Sequence, residues 1–205
     1  AVIPAFKEFG VPLVYTATDF WAMCPVVDFR RHDGAMCRGP ELAHCVRCIA
    51  SRHTGTRMKA IADRTPAAAI RLAGALSSTP LAALSHQLRQ IGALRERPDY
   101  IRERMRLVDR IIVYTRLMRE LLLANGIGEG KIVVSPYGID TSRIAGLPPG
   151  DSEPPPLRVG FIGTLAPHKG CDILIRAFRM LPREMQAELK IYGNLERFKP
   201  FVRHL

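Results

Sequence analysis

The 205-residue sequence contains no uninterrupted apolar run of the roughly 18 or more residues that a membrane-spanning helix requires. Its beginning carries no secretory signal pattern. Aromatic residues amount to only 7%, and they do not alternate with the arginines as a base-stacking nucleic-acid surface requires. With 47% hydrophobic and 24% charged residues, the composition predicts a globular chain rather than a disordered one.

Acidic residues are scarce in the middle of the chain. The whole sequence has 30 Lys and Arg against 19 Asp and Glu, a net charge of +11. Residues 56–120 alone carry thirteen basic and six acidic side chains. Such a region could face an anionic membrane, a nucleic acid or an anionic substrate, or it could be an ordinary solvated helical surface.

Cysteine is clustered rather than spread along the chain. Four of the five cysteines fall within 25 positions: Cys24, Cys37, Cys45 and Cys48. Because nothing indicates export, a reducing cytosolic setting is expected, where clustered thiols hold metal more often than they form disulfides. Two residues between Cys45 and Cys48 allow both thiolates to reach one ion. The pattern predicts a structural zinc site, with His44 as an alternative ligand; unligated thiols and an iron–sulfur cluster are the competing interpretations.

Strands that alternate with helices predict an α/β fold with parallel sheets. Residues 19–55 show no sustained helical or alternating period, and the Ala-, Leu- and Arg-rich region from Thr56 to about Arg97 predicts two helices divided at Ser77–Pro80. The remaining elements expected before residue 140 are a helix over Ile3–Phe9, strands over Val11–Thr16, Arg110–Tyr114 and Lys131–Val134, and helices over Asp99–Leu107 and Leu117–Ala124.

A stretch dense in proline and glycine predicts an interdomain linker over residues 145–156. It divides residues 1–144 from residues 157–205. Beyond it we expect a strand over Leu157–Ile162, a helix over Lys169–Leu181 and a strand over Leu189–Tyr192. The chain opens with Ala1 inside a helix and stops soon after one βαβ unit, so we expect an internal fragment in which both domains are incomplete.

The turn after the strand Leu157–Ile162 is a candidate phosphate site. Gly163 lets the backbone approach a ligand, the following helix offers free N–H groups to an anion, and Lys169 adds a positive charge. The glycines of the dinucleotide-binding fingerprint and of the P-loop are both missing. An ordinary strand-to-helix turn with a solvated lysine is the competing interpretation.

Thr18 and Asp19 follow the first predicted strand, at the end where α/β proteins often place active-site residues. Asp19 could act as a base, orient a sugar hydroxyl or cap the following turn. All three roles remain open at this point.

The order of these motifs resembles glycosyltransferase family 4, whose members have the GT-B fold. Four stretches carry the resemblance: Gly10–Trp21 with Cys24 and Pro25, the cysteine segment Cys37–Cys48, Lys131–Asp140, and Phe161–Gly170 followed by Ile191–Gly193. The cysteine segment is similar to that of a cysteine-bearing subset of the family.

The resemblance implies two Rossmann-like domains and retaining transfer of a sugar from a nucleotide-diphosphate donor to an acceptor hydroxyl, in glycan, polysaccharide or glycolipid synthesis. It places Gly163, Thr164 and Lys169 at the donor diphosphate and Thr18 and Asp19 at the catalytic site. Many family members have an arginine at the position of Thr164 and a histidine at the position of Thr18, so this chain departs from the family at both.

The resemblance also implies that no cofactor takes part in the chemistry, so that any zinc would be structural. The expected partners are a nucleotide-diphosphate sugar, a glycan or lipid-linked acceptor and an anionic membrane surface, and the expected location is the cytoplasm, including the cytoplasmic face of a membrane. The alternatives are a sugar-nucleotide epimerase of the same architecture, a zinc-stapled basic nucleic-acid-binding module and a catalytically inactive fragment.

Overall fold

The computed structural model describes residues 2–53, 56–142, 145–146, 156–182 and 184–205. The chain divides into two compact units, Ala1–Ile139 and Asp140–Leu205, called here the first unit and the second unit. The predicted linker, residues 145–156, lies almost entirely outside the described residues.

The first unit contains a parallel three-stranded sheet and six helices within its described residues. The strands are β1 (Val14–Ala17), β2 (Arg110–Val113) and β3 (Ile132–Val134). The helices are α1 (Val2–Glu8), α2 (Leu42–His53), α3 (Thr56–Arg64), α4 (Ala67–Leu76), α5 (His86–Arg106) and α6 (Arg116–Ala124), with a 3₁₀ turn at Pro80–Leu84.

The sheet order is β1-β2-β3, with Val14 opposite Arg110 and Ile111 opposite Ile132. The three strands run parallel, so the prediction of an α/β fold with parallel sheets is confirmed. Buried side chains from β2 and α6, with Met23 and Phe29 from the segment after β1, form the core around Ile111 and Leu122. The carboxyl ends of β1, β2 and β3 therefore meet at one edge of the sheet, called here the carboxyl edge.

The second unit contains β4 (Leu157–Ile162) and β5 (Ala187–Tyr192), which pair in parallel with Leu157 opposite Ala187. Between them lie a 3₁₀ turn at Pro167–Lys169 and the helix α7 (Cys171–Phe178), and α8 (Lys199–Val202) follows β5. The predicted bounds of β4 are confirmed. The predicted helix Lys169–Leu181 is too long at both ends, because Gly170 has a left-handed φ of 73° that separates the turn from α7.

Three helix predictions in the first unit are wrong. The cysteine segment contains α2, a full helix that the sequence pattern did not predict. The predicted helix Asp99–Leu107 is the second half of α5, which begins at a Ser85 cap that accepts the Leu88 N–H and continues through Pro98. The predicted break at Ser77–Pro80 is present, but a second break precedes Pro66, so Thr56–Arg97 holds three helices and not two.

None of the helices in the described part of the chain is both long enough and apolar enough to cross a membrane.

Asp109 ties the amino-terminal segment to the sheet. Its carboxylate accepts hydrogen bonds from Lys7 Nζ at 2.8 Å and from the Leu13 backbone N–H at 2.7 Å. Both hydrogen bonds lower the pKa of Asp109, and the one from Lys7 has the larger effect. One side chain thus holds α1 and the entrance of β1 against the start of β2.

We expect Asp109→Asn to lower the melting temperature at neutral pH, because the variant loses the charge that Lys7 contacts. A carboxyl group whose pKa is lower in the folded state stabilises the fold above its unfolded pKa of about 3.9, and this contribution is lost as the pH falls through the folded value. The difference between wild type and variant should therefore shrink in acid, as measured by thermal unfolding from pH 7 to pH 2.

Asp99→Asn is the matched control, because Asp99 pairs with Arg102 at the surface of α5. A surface pair of this kind contributes little. Equal shifts for both variants at pH 7 would show that the contacts of Asp109 do not anchor the first unit.

Candidate functional site

The four clustered cysteines come together in space. Cys24 lies in the loop after β1, Cys37 follows an isolated β-bridge between Arg30 and Met36, and Cys45 and Cys48 lie one turn apart on α2. All four line one small cavity of about 10 Å³ in the first unit. Residues three apart on a helix share a face, so α2 presents its two thiols to the same space.

The thiols of this cysteine cluster influence one another. Burial raises the pKa of Cys45 to about 11, and proximity to Cys48, Cys24 and Cys37 adds to the rise. Burial also raises the pKa of Cys48. Cys37 donates from Sγ to the Gly39 carbonyl at 3.1 Å. Burial of Cys45 and Cys48 therefore favours the neutral thiol at these two positions of the cluster.

His44 lines the same cavity. Its Nδ1 atom is buried without a hydrogen-bond partner, while its Nε2 atom lies 3.6 Å from Glu41 Oε2. A buried polar atom without a partner is unfavourable and calls for an explanation. Four thiols and one unpaired imidazole nitrogen are a donor set that suits a borderline-soft divalent ion such as zinc.

The donors are not yet arranged around an ion. In the residues that the structure describes, no group of three or more His, Cys, Asp or Glu side chains has an arrangement that could hold a metal as it stands. The four thiols nevertheless line the same cavity.

The backbone beside Cys24 adopts an uncommon conformation. Val27 has φ 60° and Phe29 has φ 52°, values that are rare for residues other than glycine and more so for a β-branched one. Phe29 is nevertheless only 1% exposed, and its ring stacks on Phe20 at 5.2 Å between centroids. Packing of the Phe29 ring therefore holds the loop in this conformation and turns the chain back towards Cys37.

The carboxyl edge of the three-stranded sheet carries polar and aromatic side chains. Thr18 and Asp19 follow β1 and are exposed. Asp19 Oδ1 accepts the Trp21 N–H at 2.8 Å, so this carboxylate caps the turn after β1. Tyr114 follows β2, and its ring stacks on that of Tyr137, beyond β3, at 3.5 Å between centroids.

Arg97 of α5 joins this edge to the cysteine cluster. Its guanidinium donates to the Trp21 carbonyl and lies over the Trp21 ring, 5.1 Å from the centroid. Burial lowers the pKa of Arg97, while the nearby Cys24 and Cys45 act in the opposite direction. Sequence reasoning missed this residue, because nothing in the pattern distinguishes Arg97 from the other arginines of the helical region.

The predicted phosphate loop lies at the carboxyl ends of β4 and β5. Gly163 donates its N–H to the Tyr192 carbonyl at 3.0 Å, and Thr164 is half-buried. Leu165 and Ala166 are buried and anchor the loop, whereas Lys169 is exposed at its end. Free N–H groups of the first turn of α7 follow directly, as in any helix. The loop therefore lies at the strand ends with Thr164 half-buried and Lys169 exposed, and the phosphate-binding role of these residues stays a prediction.

Asp172 disfavours anion binding at this loop. It lies in the first turn of α7, where its negative charge competes with an incoming anion. Arg176 donates to the Asp172 carboxylate at 2.9 Å and offsets part of that charge.

Gly193 brings the two strand ends into close contact. A Cβ atom at this position would lie 2.5 Å from the Gly163 carbonyl oxygen and 2.7 Å from Leu165 Cγ. Only glycine fits there without displacing the loop after β4. The segment Ile191–Gly193 contributes to the family resemblance, but the sequence alone assigned no role to this glycine.

Comparisons of the chain with protein-family models, with curated proteins and with solved structures give no match.

We expect Gly193→Ala to destabilise the second unit by roughly 1–3 kcal/mol, the usual cost of overpacking, because the added methyl group meets a backbone oxygen. Hydrogen exchange of the β4 and β5 amides would locate the effect. Gly160→Ala is the control, since a Cβ at Gly160 of β4 meets nothing within 4 Å. Equal exchange in the two variants would show that the close contact at Gly193 does not hold the loop.

Proposed function

We propose that this chain carries the diphosphate-binding loop of a nucleotide-sugar-dependent glycosyltransferase. The observation that supports the proposal best is the loop after β4, where a glycine at a strand end, a close glycine from the neighbouring strand and an exposed lysine precede a helix. Ligands of open parallel sheets bind beyond the carboxyl ends of the strands. The resemblance of Phe161–Gly170 to the family motif supplies the reaction type.

In the proposed reaction, the bond between the anomeric carbon and the donor diphosphate breaks, and the electron pair leaves with the diphosphate. The acceptor oxygen forms the new glycosidic bond with retained configuration, and its proton passes to the departing phosphate oxygen. Lys169 and the backbone N–H groups after Gly163 would stabilise the charge that develops on the leaving group. The exposed edge with Thr18 and Asp19 remains the predicted acceptor side.

We expect Lys169→Ala to weaken binding of uridine or guanosine diphosphate by about tenfold to a hundredfold, since a hydrogen bond to a charged group contributes roughly 1.5–3 kcal/mol. Isothermal titration with each diphosphate measures the effect. Lys190→Ala is the control, because Lys190 lies on β5 and pairs with Glu188.

If wild type binds a nucleoside diphosphate and Lys169→Ala binds it equally tightly, the role assigned to Lys169 is overturned. Absence of diphosphate binding, together with steeply salt-dependent binding to arbitrary duplex DNA, would favour the nucleic-acid-binding alternative. Release of nucleoside diphosphate from a panel of sugar nucleotides, in the presence of added acceptors, tests the transfer itself.

We also propose that the cysteine cluster holds a structural zinc ion. Cys24, Cys37, Cys45 and Cys48 would hold it, with the buried Nδ1 of His44 as a substitute donor. When bound, the ion would supply structural stabilisation, and the proposal assigns no chemical step to it. Zinc would join the loop after β1 to α2 and would stabilise the strained backbone at Val27 and Phe29.

We expect protein that is expressed in zinc-supplemented medium and then purified to contain about one zinc per chain. Elemental mass spectrometry measures this content. Cys45→Ser should lose most of that zinc and melt at a lower temperature. Cys171→Ser is the control, because Cys171 lies on α7 of the second unit and takes no part in the cluster. Equal zinc content in the two variants would exclude the cysteine cluster as the metal site.

A further inference from the structure

The helical region of the first unit encloses a large apolar cavity. Its volume is about 620 Å³, within the range of roughly 300–1,000 Å³ that is typical of small-molecule sites. Helices α2, α3, α4 and α5 all contribute to its wall. Apolar side chains dominate the lining, among them Ile49, Ile61, Ile70, Ile91 and Leu94. Neither proposed site uses this cavity.

The cavity opens to the surface at a rim that is apolar on α3 and polar on α5. Met58 and Ile61 of α3 line it and are 44% and 56% exposed. Gln87 and Gln90 of α5 also line it and are exposed. Large apolar side chains in contact with water at the mouth of a cavity mark a place where an apolar ligand enters.

The surroundings of the cavity are strongly basic. Residues 42–106, which include the four lining helices, hold twelve Lys and Arg against four Asp and Glu, a net charge of +8. Arg57 and Arg89 are exposed, and each neighbours a rim residue in sequence, Met58 and Gln90 respectively. A ligand that combines a hydrocarbon chain with a negative head would match both the lining and the charge.

We propose that this cavity binds the hydrocarbon chain of an anionic membrane lipid, with the lipid headgroup held at the rim by the arginines of α3 and α5. On α3 the exposed apolar residue Met58 follows the exposed Arg57, and helices that lie at a lipid interface combine apolar and basic side chains in this way. The cavity would receive one chain from that interface. This proposal is independent of glycosyl transfer, because no residue of the second unit takes part in it.

Arg97 gives the cavity a connection to the carboxyl edge. It lines the cavity wall and also contacts the Trp21 carbonyl and ring, two residues beyond Asp19. A chain bound in the cavity therefore lies against the residue that orders the loop after β1. Lipid binding should therefore change the fluorescence of Trp21, which is the single tryptophan of the sequence.

The test uses lysophosphatidylglycerol as the anionic probe and lysophosphatidylcholine as the neutral one, both below their micellar concentrations. We expect the anionic probe to change Trp21 fluorescence saturably and to bind about tenfold more tightly than the neutral one. Ala73→Phe should reduce binding of the anionic probe by about tenfold or more, because Ala73 lines the cavity and the phenyl ring occupies its space. Ala75→Phe is the control on the opposite side of α4, and it should bind as wild type does.

A second variant tests the headgroup. Arg57→Gln combined with Arg89→Gln should abolish the preference for the anionic probe while leaving binding of the neutral one unchanged, and it does not alter the cavity wall. Circular dichroism and thermal unfolding establish that each variant is folded; if Ala73→Phe does not fold, the double arginine variant decides the test.

The proposal is overturned if wild type binds neither probe, if both probes bind equally, or if Ala73→Phe and Ala75→Phe bind equally well. It is also overturned if light scattering shows a dimer of wild type that Ala73→Phe dissociates, because a second copy of the chain would then occupy the cavity. Diphosphate binding by the second unit is measured separately, so failure of one proposal leaves the other unaffected.

Discussion

Burial of Phe29 is the constraint on which the irregular segment between β1 and α2 depends. Its side chain lies in the core of the first unit, while its backbone adopts the left-handed conformation. Burial of a phenyl side chain contributes roughly 1.5–3 kcal/mol, and an uncommon backbone conformation costs roughly 1–3 kcal/mol. The favourable free energy of burial and the cost of the backbone conformation nearly cancel, so the segment needs further stabilising contacts. The Phe29 carbonyl accepts the Cys37 N–H at 3.1 Å, and this bond leads the chain to the cysteine cluster.

The sequence was most informative where local pattern and tertiary structure agree. Leu157–Ile162 is a β-prone run before a glycine, and β4 has the same bounds. It was least informative for α2, whose Cys, His and Ser residues have modest helix propensity. That helix is stabilised by packing on α3, α4 and α5, which no local pattern reveals. Proline usually ends a helix, but α5 continues through Pro98 because its packing against α2 and α4 offsets the missing hydrogen bond.

The features of the candidate sites also divide into those that the sequence could predict and those that it could not. The positions of Asp19 and Gly163 just beyond strand ends could be predicted from the sequence, whereas their roles in a site stay predictions. The spacing of the cysteines predicted a cluster, and the structure brings all four to one cavity. Arg97 and the apolar cavity could not be predicted, because both depend on how four helices pack and leave space between them. Gly193 could be recognised only once its distance to Gly163 was known.

The pairing of β1 with β2 has a consequence for how the chain folds. Leu13 bonds to Asp109, 96 residues further along the chain, whereas β2, α6 and β3 are close neighbours in sequence. Closing so long a loop is entropically costly and slow, so local units form first. At a synthesis rate of about 5–20 residues per second, β1 waits about 5–20 s for its partner strand. Throughout that interval the cysteine-bearing loop has no sheet to pack on, and its thiols are open to oxidants and to chaperones.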